Sequence, residues 1–270
     1  MAIIGLGRFS IAKKPKRKVG IAFGGGGARG FAHIGVIKAL YENDIHFDHI
    51  AGVSAGSIAA GAYAVEMPFE EMKEAAIKLD KKDFLTSKIF FIPSDPKGIE
   101  MMLNKILGNR DNFTKCKTPL SILAVDIVSG REHVFTTGTI SRAASASSAI
   151  PGVFSPVIEQ DMYLMDGGLM NNVPASVLRD AGCDAIVGVH VGDFSSPVAK
   201  SPSLIDVIPA AIKILVRSTS QTGVEKSDLV IVPNMGPQKF GSLENTGAII
   251  QAGYDAAMSR MDEIKKLFEN

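Results

Sequence analysis

Val19-Gly20-Ile21-Ala22-Phe23-Gly24-Gly25-Gly26-Gly27-Ala28-Arg29-Gly30-Phe31 is the stretch that decides the fold. The apolar run Val19–Phe23 predicts a strand, and four successive glycines stop it abruptly. Residues 31–43 then read as a helix, with Ile34, Ile37, Ala39 and Leu40 at inward positions and Asn43 near its end. A strand that feeds a helix through a tight glycine turn opens an α/β unit.

The alternation continues along the chain. Residues 50–53 predict a second short strand, and 57–65 an Ala-rich helix. Strand texture returns at 120–125 and 132–135, joined by a turn at Ser129-Gly130, and 140–149 is a small-residue helix ending before Pro151. Tyr163 to Met165 leads into Asp166-Gly167-Gly168; 185–191 and 229–232 complete the strands, and 247–268 is a closing helix. Between Pro68 and Lys117 the texture is charged and helical. There Ile99, Met102, Leu103, Ile106 and Leu107 keep the spacing of an amphipathic helix. The expected architecture is an α/β fold: a single-domain three-layer sandwich, a mostly parallel central sheet with helices on both faces. Residues 1–17 form a basic extension, 18–270 the domain, and 68–117 a helical insertion. Phe84, Leu85 and Ile89 to Ile92 are its most apolar stretch, as core or as a candidate lid.

Composition narrows the classes. The chain has 270 residues, 46% apolar and 21% charged, enough to bury one substantial core. Lys plus Arg is 29 against 28 for Asp plus Glu, which gives no support for a polyanionic partner, and no nucleic-acid partner is expected. Cys116 and Cys183 stand far apart without metal-type spacing, which fits a reducing compartment. The apolar start, Met1 to Leu6, precedes the basic run Lys13 to Lys18, the reverse of a secretory signal, and no apolar run is long enough to span a membrane. A cytoplasmic location follows as the expectation, with contact at a membrane surface if the basic run meets anionic lipid. Pro15 and the charges favour the plainer reading of that run, a solvated extension.

Three motifs carry chemistry. Gly52-Val53-Ser54-Ala55-Gly56 is a G-x-S-x-G after a short apolar run and before a helix, the context of a nucleophile elbow. The glycine loop satisfies G-x-G-x-x-G at Gly25, Gly27 and Gly30, so a nucleotide-binding oxidoreductase is its rival reading. That rival needs an acid at the end of the second strand, where Ser54 stands instead. The other use of such a loop is an oxyanion hole built from its backbone N–H groups. Asp166-Gly167-Gly168 places a carboxylate at the end of an apolar run, although Asp-Gly alone is a common turn. Of the histidines only His190 follows Asp166, in a run that reads as a buried strand end, leaving it the weaker candidate for a base. His33 reads as a capping or packing residue, and His46, His49 and His133 lack informative partners. No His/Asp/Glu cluster suggests a metal, and no cofactor is expected.

These motifs, in this order, resemble the bacterial branch of the patatin-like phospholipase family. The stretches 24–40, 147–154 and 166–174 carry the likeness, which covers about residues 18–233. The resemblance implies a Ser–Asp dyad without a third catalytic residue. Ser54 would be the nucleophile, Asp166 the proton acceptor, and the N–H groups of Gly25, Gly26 and Gly27 the oxyanion hole. Arg29, Gly30, Gly52, Gly56, Gly167 and Gly168 would support the motifs. It further implies lipid acyl esters as substrates, cleaved without metal. Val53 stands where related acyl-carrier-protein transacylases carry histidine, which counts against that specialisation. A lipid-binding or signalling protein without hydrolytic activity is the alternative on the same fold.

Overall fold

The computed structural model describes residues 17–83, 93–192, 204–236, 243 and 245–269. The basic run up to Lys16 and the apolar stretch 84–92 lie outside the described residues. β1 (Val19–Phe23) is buried along its whole length and passes through a tight turn at Gly27–Phe31 into α1 (Ala32–Glu42). β2 (His49–Gly52) leads into α2 (Ala55–Ala64). α3 (Phe69–Lys78) and α4 (Lys97–Leu107) arise from the segment expected to be helical. β3 (Leu120–Asp126) and β4 (Arg131–Phe135) form a hairpin, and α5 (Ile140–Ser147) precedes β5 (Val157–Glu159) and β6 (Met162–Asp166). Then come α6 (Ala175–Asp180), β7 (Ala185–Val189), α7 (Leu204–Glu225) and β8 (Leu229–Ile231). α8 (Thr246–Ser259) and α9 (Met261–Lys266) follow.

One sheet holds the strands in the order β5-β6-β3-β2-β1-β7-β8, with β4 added on β3. β3, β2, β1, β7 and β8 are parallel neighbours, and β4, β5 and β6 run antiparallel. Val19, Ile21 and Phe23 share one core with Val36 and Ile37 of α1, whereas Ala22 faces Val177 and Leu178 of α6. Both faces of β1 are covered, so its sequence is continuously apolar instead of alternating. The three-layer α/β expectation holds.

The pairing of β3 sets the site. Ile122 bridges Gly52 of β2 on one side and Phe135 of β4 on the other. Ala124 bridges Asp166 of β6 and His133 of β4. β4 therefore lines one edge of β3, and β2 and β6 share the other edge, meeting tip to tip. Gly52 and Asp166 thus end two strands that point at each other.

Most boundaries shift by one or two residues, and two differences have a visible cause. β7 stops at Val189, short of the expected 191, because β1 ends opposite it at Phe23 and Gly24 N–H closes on Val189 O at 3.0 Å. The closing helix breaks at Arg260, with φ −113° and ψ 7°, where the guanidinium donates to Val230 O at 3.0 Å. Strand β5 and helices α6 and α7 are elements that the sequence pattern did not assign.

Candidate active site

Ser54 sits at φ 52° and ψ −129°, a backbone region that L residues avoid unless their surroundings hold them there. Its own N–H donates to Ser147 Oγ at 2.9 Å, and that hydroxyl donates to Leu123 O at 2.6 Å. Its carbonyl accepts from Ser57 N at 2.8 Å and Ser57 Oγ at 2.6 Å. These bonds fix a sharp turn from strand to helix and leave Ser54 as the N-terminal cap of α2. The positive end of the helix dipole favours a developing alkoxide there. A Cβ on Gly56 would stand 2.1 Å from Phe23 O, so only glycine lets α2 begin directly against β1. Gly52 ends β2 under the same helix, within 2.7 Å of Ser57 Cα by the same measure.

Asp166 closes β6, is 7% exposed, and accepts Gly168 N–H at 2.8 Å. The Ser54 side chain is the polar side chain that acts on its carboxyl. Burial pushes its carboxyl up to about 6, against the opposing pull of the Ser54 side chain and the Gly168 N–H. No histidine figures among the groups that set this titration. His33 bonds Gly24 O through Nε2 at 2.8 Å, and burial lowers it to about 4. His46 meets Asp44, His49 meets Ser121, and His133 stands edge-on to Phe135. His190 lies just past β7, its N–H on Ile231 O at 2.9 Å, and its ring is depressed by burial and by Arg29.

The glycine loop divides its donors. Gly24 and Gly25 give their N–H groups to Val189 O and Asn172 O, each at 3.0 Å. The N–H groups of Gly26 and Gly27 have no acceptor among the described residues, and both glycines border a cavity shared with Ser54 and Asp166. Of the three expected amides, that of Gly25 is committed to the fold. Arg29 is buried, with Nε on Val191 O at 2.7 Å and a second nitrogen on Gly236 O at 3.4 Å, which ties the loop to the segments after β7 and β8. Gly30 abuts Ala55, and Gly167 packs beneath Leu123 O.

Three supporting residues escaped the sequence reading. Asn172 donates Nδ2–H to Gly25 O at 3.2 Å and to Ser220 Oγ at 2.8 Å, clamping the glycine loop to the Asp-Gly-Gly loop and to α7. Thr219 of α7 donates to Gly168 O at 2.7 Å. Ser147 holds the elbow as described. The pair Asn171-Asn172, which follows the third motif after Leu169 and Met170, was the available signal; the alcohols of α5 and α7 gave none, since serine and threonine are common on helices.

Two cavities meet at Ser54. The larger, about 380 Å³, is bounded by Phe31, Ile58, Met72, Ala76, Met102 and Phe154 among others, and among the described residues no charged side chain lines it. The smaller, about 50 Å³, lies between Asp166, Gly26, Leu169 and the α7 residues Ile212, Lys213 and Val216. Among the described residues no group of three or more His, Cys, Asp or Glu could hold a metal ion, and no helix is long and apolar enough to cross a membrane.

Known proteins are similar to this chain in sequence and in fold. An uncharacterised NTE family protein of Mycobacterium tuberculosis is 31% identical over 209 residues, 75% of this chain and 57% of that protein. Another from the same organism is 33% identical over 166 residues, 60% of this chain and 28% of its own length. Lysophospholipase NTE1 of Mycosarcoma maydis is 30% identical over 194 residues, 69% of this chain but 10% of the fungal protein. The chain thus spans a tenth to somewhat over half of these relatives. In fold it is similar to VipD from Legionella pneumophila, with TM-score 0.62 at 15% identity over 92% of this chain and 67% of that one. It is also similar to human GIVD cytosolic phospholipase A2, with TM-score 0.54 at 12% identity over 93% and 59% of the two chains. The family model described as patatin-like phospholipase matches residues 21–179, from β1 through the elbow and Asp166 to α6, and the chain belongs to that family.

Proposed function

We propose that this chain hydrolyses acyl esters of lipids, with Ser54 as nucleophile and Asp166 as general base. One observation carries the reading: a strained serine at a helix N-terminus is paired with a buried carboxyl beside a cavity that no charged side chain of the described residues lines. The Asp166 carboxylate takes the Ser54 proton as Oγ bonds to the ester carbonyl carbon. The carbonyl electrons move onto oxygen, where the N–H groups of Gly26 and Gly27 receive the charge. When the oxyanion collapses, the bond to the alcohol breaks, and Asp166 returns its proton to the departing oxygen. Water then repeats the sequence on the acyl-enzyme, giving its proton to Asp166 and releasing the fatty acid and Ser54.

The apolar cavity receives the acyl chain, worth about 0.8 kcal/mol for each methylene buried. Helices α3 and α4, from the segment 68–117, supply Met72, Ala76 and Met102 to that cavity, and we assign the segment as the wall and lid of the acyl site. Such substrates bring the protein to a lipid surface. The test is labelling with a fluorophosphonate, which captures only an activated hydroxyl. Ser54 should be the residue modified, and Ser54→Ala should lose both label and turnover. A label that survives in Ser54→Ala assigns the nucleophile elsewhere.

A further inference from the structure

α7 faces two ways. Its inner side sets Ile212 and Val216 on the smaller cavity beside Ser54 and Asp166, and bonds Gly168 O and Asn172 through Thr219 and Ser220. The opposite side changes character along its length. Val207, Ala211, Ile214 and Leu215 keep the i, i+4, i+7, i+8 spacing of one stripe, and all four are exposed, Ile214 at 71%. The same stripe then continues as Ser218, Gln221, Thr222 and Glu225, the pattern of an ordinary solvated helix. The apolar half is therefore the half that borders the cavity. Single exposed apolar residues need no explanation, but a contiguous group of them marks a contact surface. Two loops extend the group. Val153 is exposed two residues after Pro151, and Met170 is exposed next to Leu169; Pro151 and Leu169 both line the smaller cavity. Exposed apolar side chains thus adjoin three separate segments of the cavity wall.

Charge selects the occupant. Between Val207 and Val224 the helix carries two charged residues, Lys213 and Arg217, both positive and four apart on one flank of the stripe. By contrast, the exposed pair Ile158 and Tyr163, matched across β5 and β6, has Glu159 and Asp161 as neighbours. An apolar stripe with cations at its flank and no carboxylate fits the plane of an anionic lipid surface. The apolar side chains enter the acyl boundary there, and the cations meet the head groups. α7 is not apolar enough to cross a bilayer, so it would lie along one. Such a seat also serves the site. An acyl chain that travels through water exposes every methylene, and a cavity rim held against the bilayer avoids that exposure.

We propose that the outer stripe of α7 seats on the surface of an anionic lipid bilayer, with Ile214 and Leu215 in the acyl boundary and Arg217 at the head groups. The proposal deepens the reading of lipid-ester hydrolysis given above, and its binding arm needs no turnover. The chain contains no tryptophan, so Leu215→Trp in a Ser54→Ala background is a single reporter. On vesicles of equal parts phosphatidylcholine and phosphatidylglycerol its emission should move to the blue and be quenched by brominated acyl chains. Ile158→Trp, in the same background, should show neither effect. In cosedimentation, Ile214→Ser combined with Leu215→Ser should lose at least about tenfold in affinity. Arg217→Gln should lose about fivefold on the mixed vesicles and nothing on phosphatidylcholine alone. With Ser54 intact, these serine and glutamine variants should keep p-nitrophenyl butyrate turnover within about twofold. An unshifted Leu215→Trp emission overturns the proposal, as do equal shifts in Leu215→Trp and Ile158→Trp. Wild-type affinity in the double serine variant overturns it too, and leaves the basic run 13–18 as the anchor. Wild-type turnover of p-nitrophenyl butyrate reports on Ser54 apart from any membrane; its absence defeats the hydrolase reading and not the docking surface.

Discussion

A carboxyl whose pKa is pushed up to about 6 is half ionised near that pH, so Asp166 should impose an acidic limb on kcat/KM with a midpoint close to 6. The same shift bears on folding. The folded value of about 6 lies above the ordinary 3.8, so the stability Asp166 contributes is full below about 3.8 and is lost as pH rises through about 6. At pH 8 its buried charge is a burden of roughly 1–3 kcal/mol. Asp166→Asn should therefore abolish turnover and raise Tm at pH 8, with the gain shrinking toward pH 4. His33 works in the opposite direction: lowered from 6.5 to about 4, it contributes stability above 6.5 that is lost as pH falls through about 4. The two slopes nearly cancel in wild type between roughly pH 4 and 6. Thermal melts of both proteins from pH 4 to 8 check this. A Tm at pH 8 that is unchanged or lower in Asp166→Asn would mean that the carboxylate is solvated, and the case for a tuned base would fall with it.

The elements that carry the site are coupled through Asn172, whose backbone carbonyl and side-chain amide both engage Gly25. Its Oδ1 and Asp166 Oδ1 lie 2.7 and 3.0 Å from the point a Gly168 Cβ would occupy, so the two side chains share one crowded corner. Asn172→Asp would add a like charge there, favour the protonated form of Asp166, and move the acidic limb of kcat/KM above its wild-type position near 6. Asn172→Ala should leave the limb in place while kcat falls, because the glycine loop loses its clamp and not its charge. Unmoved pH profiles in both variants would limit Asn172 to stabilising the fold. Asn172 also marks where the sequence stopped being informative. Ser54 and Asp166 stood out in the sequence because each ends an apolar run with glycines beside it, and for Asp166 the family resemblance decided against an ordinary Asp-Gly turn. Sheet-forming runs were legible for the same reason, being short, apolar and closed by turn residues. Ser147 and Thr219 were not, because a helical alcohol looks the same whether it braces a loop or faces water. α7 carries apolar residues on its solvent side, Val207, Ile214 and Leu215 among them, so no single stripe announced it. The glycine loop was legible as a donor array, yet only tertiary structure reveals that the Gly25 amide is already taken.

At the scale of the whole molecule, the sheet places the glycine loop, the elbow and Asp166 at the strand ends, and the helices on one side leave the apolar cavity open to Ser54. Two sources supply the helices of that cavity's wall. α1 and α2 belong to the sheet's own α/β units, whereas α3 and α4 come from the segment that also holds the stretch 84–92. Chain-length preference should therefore be adjustable from α3 without touching the catalytic side chains. Ala76 is buried on α3 and lines the cavity, so Ala76→Phe would fill part of its volume. In wild type, each added methylene should raise kcat/KM by up to about fourfold until the cavity is full, from about 0.8 kcal/mol per buried CH₂. In Ala76→Phe the rise should stop at a shorter chain, with the p-nitrophenyl palmitate rate falling at least about tenfold relative to the butyrate rate. Filling a void does not strain the core, so Tm should hold or rise. Parallel losses on the butyrate and palmitate esters at unchanged Tm would place the acyl chain outside this cavity. Unchanged palmitate turnover would mean that α3 moves aside in the working enzyme, making it a door and not a wall.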